Sequence, residues 1–236
     1  LCDAITQLGS ENFPALYVHE NLPGETSAIE SDTKVMIVAE MPAGIALQPE
    51  LVNGIIKIES FLSLAISVTR KIKQIHSMNI IHGELCPTFI RMLPRKNDIK
   101  ISGFGPFTWY RHPMKACFSL SPGDLPLSHP DFNKQIMPYL SPELSGKLNQ
   151  KIDARCDLYS LGCIFYEMIC GEPPFNMTDT SGVLHLHVAK DPVPVIKKCP
   201  EVPPVISDIV MNLLEKNPES RYQDAEALLT DLYSCI

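Results

Sequence analysis

The stretch CDLYSLGCIFYEMICG, residues 156–171, constrains the fold more than any other part of the sequence, because it is apolar almost all round. A helix with apolar residues on every side belongs at the centre of a core, since no face suits water. Its most apolar part is interrupted by Glu167 and is too short to span a bilayer. Gly171 and the pair Pro173–Pro174 predict that the helix ends there.

Strands are predicted mainly in the first part of the chain. Two apolar, β-branched runs at 15–20 and 34–41 are separated by a polar loop and predict an antiparallel pair. Two later segments, NIIHGELC (79–86) and DIKISGFG (98–105), predict short strands around a turn. Residues 106–140 are irregular and rich in Pro, and so long a loop is typical of a functional or disordered segment.

Helices are predicted through the remainder. Apolar residues recur at helical spacing from Ile58 to Ile75, which indicates an amphipathic helix of about five turns that ends near Met78–Asn79. A Pro-rich connector, DPVPVIKKCPEVPP, separates the later helices. These later helices are predicted at 181–190, 205–217 and 224–236. A strand-rich start and a helical remainder indicate an α+β fold with a small sheet and a larger helical lobe.

Composition excludes several classes of protein. The 236 residues are 45% hydrophobic and 20% charged, with a net charge of −7, so no basic footprint for nucleic acid or an anionic membrane is present. The eight Cys form no CxxC pair and no zinc spacing, which indicates reduced, mostly buried thiols in a cytoplasmic protein. The chain begins with Leu rather than Met, and we interpret it as a segment of something longer.

Six motifs in order carry a resemblance to a known family. They are VAEMPAG (38–44), IIHGELCPTF (80–89), ISGFG (101–105), YLSPE (139–143), CDLYSLG (156–162) and NPESRY (217–222). Over nearly its whole length the chain resembles the protein kinases. These motifs are similar to that family's hinge, catalytic loop, DFG, APE, DxWSxG and late Arg motifs. The resemblance implies a partial small lobe and hinge at 1–46 and a helical large lobe at 47–236.

A narrower resemblance covers the second half of the chain. The run from YLSPE to GEPPF (139–175), followed by LHVAK and LLEKNPESRYQDAEALLTDL, is similar to the kinase-like module that opens large hybrid histidine kinases, especially fungal ones. Those proteins place this module ahead of an ATPase-like region, a GAF domain, a histidine-kinase core and a receiver. The resemblance implies a two-component phosphorelay of the kind that serves stress responses, with function inferred from family likeness alone.

The positions at which the kinase family carries its catalytic and metal-binding residues are degenerate in this sequence. Gly103 stands at the Asp of the DFG motif, ahead of Phe104 and Gly105, and Phe89 replaces the metal-binding Asn of the catalytic loop. Neither can offer an oxygen to a hard cation. Glu84 occupies the position of the catalytic Asp. Loss of one electrostatic group commonly costs about 10²–10³ in rate, so several losses together predict negligible turnover.

Two further positions depart from the family, and parts of the small lobe are missing. Cys86 replaces the Lys of the catalytic loop, and Gly83 replaces the Arg that reads an activation-loop phosphate. No GxGxxG occurs, and no VAIK-like strand precedes residue 15. We expect those parts of the small lobe, where they exist, to lie upstream.

Other singled-out residues have structural interpretations. His82, the catalytic-loop histidine, is expected to pack, and Glu84 to have a hydrogen-bonding or surface role. His185 and His187 alternate along a helix and are expected to face solvent rather than bind metal. Cys163 and Cys170 lie seven apart and are expected to be small core residues.

Three retained residues are expected to hold the fold. The resemblance implies that Glu143 and Arg221 meet as an ion pair that fastens the end of the long loop to the helical lobe. It also implies that Asp157 accepts hydrogen bonds from the backbone around His82 and Gly83. Both arrangements need no nucleotide.

The leading interpretation is a catalytically degenerate kinase-like domain that acts as a sensory or regulatory module of a phosphorelay hybrid histidine kinase. Its expected partners are other domains of the same polypeptide and phosphorelay or signalling proteins, with no nucleic acid and no membrane. No metal and no cofactor is expected for this segment, whereas the parent histidine kinase would use ATP and Mg²⁺. Two alternatives remain open: a divergent but active Ser/Thr kinase with Glu84 as base, and a nucleotide-binding domain without phosphotransfer.

Overall fold

The structure, a computed structural model, describes most of the helical part of the chain and short pieces before it. The described residues are 16–19, 36–39, 44–47, 57–93, 98–103, 135–145, 152–175 and 180–236. Most of the irregular stretch predicted at 106–140 lies outside these ranges, as do Phe104 and Gly105.

The described strands form two small antiparallel sheets. β1 (Leu16–His19) pairs with β2 (Met36–Ala39), with Leu16 opposite Ala39. The second sheet has the order β3 (Ile45–Ala46), β4 (Ile90–Met92) and β5 (Ile99–Ile101). The antiparallel pair predicted near the start of the chain is therefore confirmed.

The described residues contain six α-helices, the first between β3 and β4 and the other five after β5, and the α+β class is confirmed. They are α1 (Ile58–Ser77), α2 (Arg155–Cys170), α3 (Thr180–Ala189), α4 (Val195–Lys198), α5 (Pro204–Leu213) and α6 (Ala225–Ser234). Short 3-10 turns lie at Pro87–Phe89, Met137–Tyr139, Pro142–Ser145 and Pro218–Ser220. The Pro-rich connector thus contains one helical turn, α4.

Helix α2 is the centre of the core, as its composition predicts. Thirteen of its residues are buried, from Cys156 to Ile169. Its Gly162 permits a close approach of α5, because a Cβ there would lie 2.7 Å from the Cβ of Leu213. The helix ends at Cys170 and is followed by Gly171, as expected.

Helix α1 lies against both α2 and α6. Its buried residues recur at three- and four-residue spacing, so one face meets the core. Phe61 packs edge-on against Phe165 of α2, with ring centroids 5.6 Å apart. On the other side, Lys73 pairs with Glu226 of α6. The five-turn helix predicted from Ile58 is therefore confirmed.

One predicted strand is wrong. Residues 79–86 are not in a strand, and the strand of this region begins only at Ile90. The backbone of this loop finds its hydrogen-bond partners elsewhere, on a buried carboxylate described below. The partner strand predicted within 98–105 is present as β5.

None of the helices in the described ranges combines the length and the apolar character that a membrane span requires.

Candidate functional site

The loop at 82–86 is joined to the strand end at Ser102 by the His82 side chain. His82 is fully buried, and its Nε2 lies 2.8 Å from the carbonyl oxygen of Ser102. Its Nδ1 lies 3.3 Å from the backbone N–H of Glu84, which donates to it. One neutral tautomer, with the proton on Nε2, satisfies both contacts. Burial lowers the pKa of His82 below its ordinary value, so the ring is neutral. The role of this side chain is therefore to position the loop.

The Asp157 carboxylate is the hub of the same loop. It is fully buried and accepts the backbone N–H of His82 at 2.9 Å and that of Gly83 at 2.7 Å. Nε2 of His76, on α1, lies 2.8 Å from the same carboxylate. Asp157 stands in the first turn of α2, so one side chain connects α1, α2 and the loop.

Asp157 remains ionised despite its burial. Desolvation alone would raise its pKa, but the hydrogen bond with His76 and that from the Gly83 N–H hold the pKa below its ordinary value. An ionised acceptor makes the two backbone hydrogen bonds stronger than neutral ones. The loop conformation is thereby fixed by hydrogen bonds within the protein itself.

The Phe89 ring fills the space beside Gly103. A Cβ built on Gly103 would lie 2.2 to 2.5 Å from three atoms of that ring, closer than side chains ever approach. Gly103 also has a φ of +75°, a left-handed conformation that disfavours a side chain. Backbone bonds hold the two residues together, because Ser102 N donates to the Phe89 carbonyl at 2.9 Å. Phe89 and Gly103 therefore depend on each other, because the ring can occupy this space only when residue 103 has no side chain.

This arrangement does not fit the magnesium ion that the resemblance would imply. The two positions that would supply ligands offer a hydrogen atom and an aromatic ring, and neither coordinates a hard cation. Within the described ranges, no three His, Cys, Asp or Glu side chains converge as metal ligands would.

Glu84 is buried, which corrects the expectation of a surface or hydrogen-bonding role. The residue is 7% exposed, and its Oε2 is buried without a hydrogen-bond partner. Burial raises its pKa from 4.5 to about 7. The neighbouring Cys86 is also buried, and burial raises the pKa of its thiol to about 12. A base here would have no hydrogen bond to orient its Oε2.

Glu143 and Arg221 form a buried bidentate ion pair. Nη1 donates to Oε1 at 2.7 Å and Nη2 to Oε2 at 2.9 Å, and both side chains are at most 1% exposed. Arg221 Nε also donates to the Glu215 carbonyl at 2.7 Å. The guanidinium lies 4.8 Å from the centre of the Tyr159 ring. This cluster fastens the turn at Pro142–Ser145 to α2 and to the chain before α6.

A second buried polar cluster was missed by sequence reasoning. His187 is fully buried, which corrects its expected exposure, whereas His185 is exposed as predicted. Nδ1 of His187 lies 2.9 Å from the Tyr159 hydroxyl oxygen, to which the Lys216 ammonium donates at 3.3 Å. Burial and the nearby Lys216 charge lower the pKa of His187 to about 3, so the ring is neutral. No sequence signal marks a partner 28 residues away.

The sequence comparisons agree with this architecture. The profile of the protein kinase domain matches residues 13–233, which is nearly the whole chain. The chain belongs to the protein kinase domain family. The resemblance to protein kinases is thereby confirmed, and the histidine kinases among the relatives confirm the narrower resemblance.

Relatives of this kinase-like domain include serine/threonine-protein kinases and histidine kinases. Serine/threonine-protein kinase PknB of Mycolicibacterium smegmatis is 34% identical over 157 residues, covering 66% of this chain and 23% of that protein. Hybrid signal transduction histidine kinase G of Dictyostelium discoideum is 43% identical over 108 residues, covering 44% of this chain and 3% of that protein. Histidine protein kinase 1 of Candida albicans is 28% identical over 231 residues, covering 96% of this chain and 9% of that protein. The chain spans less than a quarter of each.

Arg221→Ala is expected to destabilise the kinase-like domain by about 3–5 kcal/mol, because it leaves the buried Glu143 carboxylate uncompensated. Urea unfolding measures the effect. Arg70→Ala is the matched control, since Arg70 is exposed and its bond to the Tyr233 hydroxyl is at the surface. A near-neutral result for Arg221→Ala, similar to that control, would contradict the buried pair.

Glu84→Gln is expected to stabilise the domain at pH 8 but not at pH 4. The folded state holds its proton up to a pKa of about 7, whereas the unfolded chain releases it near 4.5. Wild-type stability is therefore lost as pH rises between these values, by about 3 kcal/mol in total. Urea unfolding from pH 4 to 8 tests this, with the exposed Glu201→Gln as control. A difference that does not grow with pH rejects the buried, unpartnered carboxyl.

Gly103→Ala is expected to destabilise the domain by about 2 kcal/mol or more, since its methyl group collides with the Phe89 ring and its φ is positive. In a Phe89→Ala background the collision is gone, and only the conformational cost of about 1 kcal/mol remains. A double-mutant cycle by urea unfolding gives the coupling energy. Strict additivity would show that the ring does not occupy this space.

Proposed function

We propose that this domain is a catalytically inactive kinase-like module that regulates a phosphorelay hybrid histidine kinase. The observation that carries the first half of the proposal is the Phe89 ring packed over Gly103. Phosphoryl transfer depends on positioning and on charge stabilisation by metal ions. A ring in the place of metal ligands removes that stabilisation, and Glu84 alone cannot replace it.

The second half of the proposal rests on the relatives. Similarity to a histidine kinase of Candida albicans extends over 96% of the chain, and similarity to one of Dictyostelium discoideum reaches 43% identity over a shorter part. A regulatory module needs a well-defined surface and no turnover. The Asp157 hub and the Glu143–Arg221 pair preserve such a fold without nucleotide. The partners proposed are other domains of the same polypeptide.

An active Ser/Thr kinase is the second candidate, because PknB of Mycolicibacterium smegmatis is 34% identical over 66% of the chain. In that case Glu84 would act as the base, with a metal arrangement unlike the family's. A domain that binds nucleotide but transfers no phosphate is a third candidate, intermediate between the inactive module and the active kinase. Nucleotide binding and phosphotransfer, measured together, separate the three.

Mg²⁺-ATP is expected to leave the melting temperature unchanged. A ligand at 100 times its Kd would stabilise the folded state by about 2.7 kcal/mol. In a domain of this size that corresponds to a rise of roughly 5–10 °C. Thermal unfolding with and without Mg²⁺ measures it, and the product of the complete gene is tested alongside the chain. A reproducible Mg²⁺-dependent rise would favour the second or the intermediate candidate.

The same preparations are then incubated with radiolabelled ATP. We expect no label on Ser, Thr or Tyr of this domain or of generic substrates, and acid-labile histidine phosphate only on the complete gene product. Label that disappears on Glu84→Ala would establish the active kinase. If Arg221→Ala changes the amount of histidine phosphate while Phe89→Ala does not, the domain acts through its fold rather than through its degenerate site.

A further inference from the structure

Two thiols from different parts of the chain meet at the edge of the core. Cys170 is the last residue of α2, and Cys199 follows α4, 29 residues later. Their Sγ atoms are 3.8 Å apart, and both are free thiols in this structure. A disulfide bond requires about 2.05 Å between the sulfurs, so the atoms are in van der Waals contact and must close by less than 2 Å.

The two sulfurs differ in their exposure and in the groups around them. Cys199 is 6% exposed, and its thiol faces the Ile169 carbonyl at 3.6 Å as well as Cys170. Cys170 is half-buried and is the more exposed residue of the two. Lys198 pairs with Glu172 beside them, and its positive charge favours the thiolate of Cys170. The more exposed residue can react first and the buried one second.

We propose that Cys170 and Cys199 are a redox-modification site, which a hydroperoxide converts from two thiols to an intramolecular disulfide. The Cys170 thiolate attacks the terminal peroxide oxygen, the O–O bond breaks, and an alcohol or water leaves once it takes up a proton. The resulting sulfenic acid is attacked by Cys199, the S–S bond forms, and water leaves. Two thiols and one hydroperoxide give one disulfide, one alcohol or water, and one water.

The chemistry of the thiols predicts a slow reaction with a persistent product. Burial, with the nearby Cys199, raises the pKa of Cys170 to about 12, although Lys198 acts against this. Little thiolate is therefore present at neutral pH, and the rate should rise about tenfold with each pH unit. A dithiol that is not stabilised as a thiolate forms a disulfide that is hard to reduce.

The disulfide would close the segment that contains α3 and α4 onto the end of α2. Helix α3 contacts the turns at Met137–Tyr139 and Pro142–Ser145, so the bond would fix the surface next to the end of the long loop. This inference does not depend on the proposed function, because the thiols lie outside the degenerate loop. For a loop of this length, oxidation should raise the melting temperature by roughly 7–14 °C.

The test treats the folded 236-residue chain with hydrogen peroxide and quenches it with a thiol-alkylating reagent. Peptide mapping by mass spectrometry is expected to show Cys170 linked to Cys199, with the loss of two hydrogens and no added oxygen. The same treatment in urea is expected to give scrambled links. Each of Cys170→Ser and Cys199→Ser should abolish both the link and the rise in melting temperature.

Cys235→Ser is the matched control, because Cys235 is also half-buried but its thiol faces the Asp231 carbonyl. This variant should keep the Cys170–Cys199 link and its pH-dependent rate. Sulfinic or sulfonic acid on Cys170 without the link would overturn the proposal. So would a link that forms equally well in the unfolded chain.

Discussion

The buried Asp157 carboxylate is the interaction on which the rest of this structure depends. It joins α1 through His76, opens the central helix α2, and holds the loop at 82–83 by two backbone N–H groups. Those backbone groups would otherwise be buried without partners, at a cost of about 1–3 kcal/mol each. Because the acceptor is charged, the loop geometry is set by electrostatics within the core and not by anything that binds to the loop. The residue at position 103 takes no part in these contacts.

A second constraint works in the same direction. The Glu143–Arg221 pair is fully buried, and its geometry satisfies both carboxylate oxygens. Such a pair is weak evidence for stability by itself, because desolvation offsets much of the attraction. Its consequence is specificity: the turn at Pro142–Ser145 has one position in which neither charge is left alone. The groups that hold the fold, Asp157 and the Glu143–Arg221 pair, are thus separate from positions 89 and 103.

The sequence correctly predicted the elements whose burial follows from the pattern of apolar residues within the element itself. The apolar run of α2 and the periodic face of α1 predicted the core, and the family motifs indicated which residues hold it. It failed where a partner far along the chain decides the outcome. Residues 79–86 are apolar enough for a strand, yet the backbone N–H groups of His82 and Gly83 are bound by Asp157, about 75 residues away. His187 is buried through Tyr159, and Cys170 meets Cys199, and neither contact leaves a periodic signal.

The relation between Phe89 and Gly103 could be recognised in sequence only as two separate losses. In the structure each makes the other necessary, because the ring takes the volume that any side chain at 103 would need. An aspartate introduced at 103 would meet an aromatic wall in a left-handed backbone conformation, and an asparagine introduced at 89 would leave a cavity beside a glycine. Either single reversal costs stability before it offers a metal ligand. The Phe89–Gly103 arrangement is therefore a packed state with its own stability, and metal ligands at these two positions would require both residues to change together.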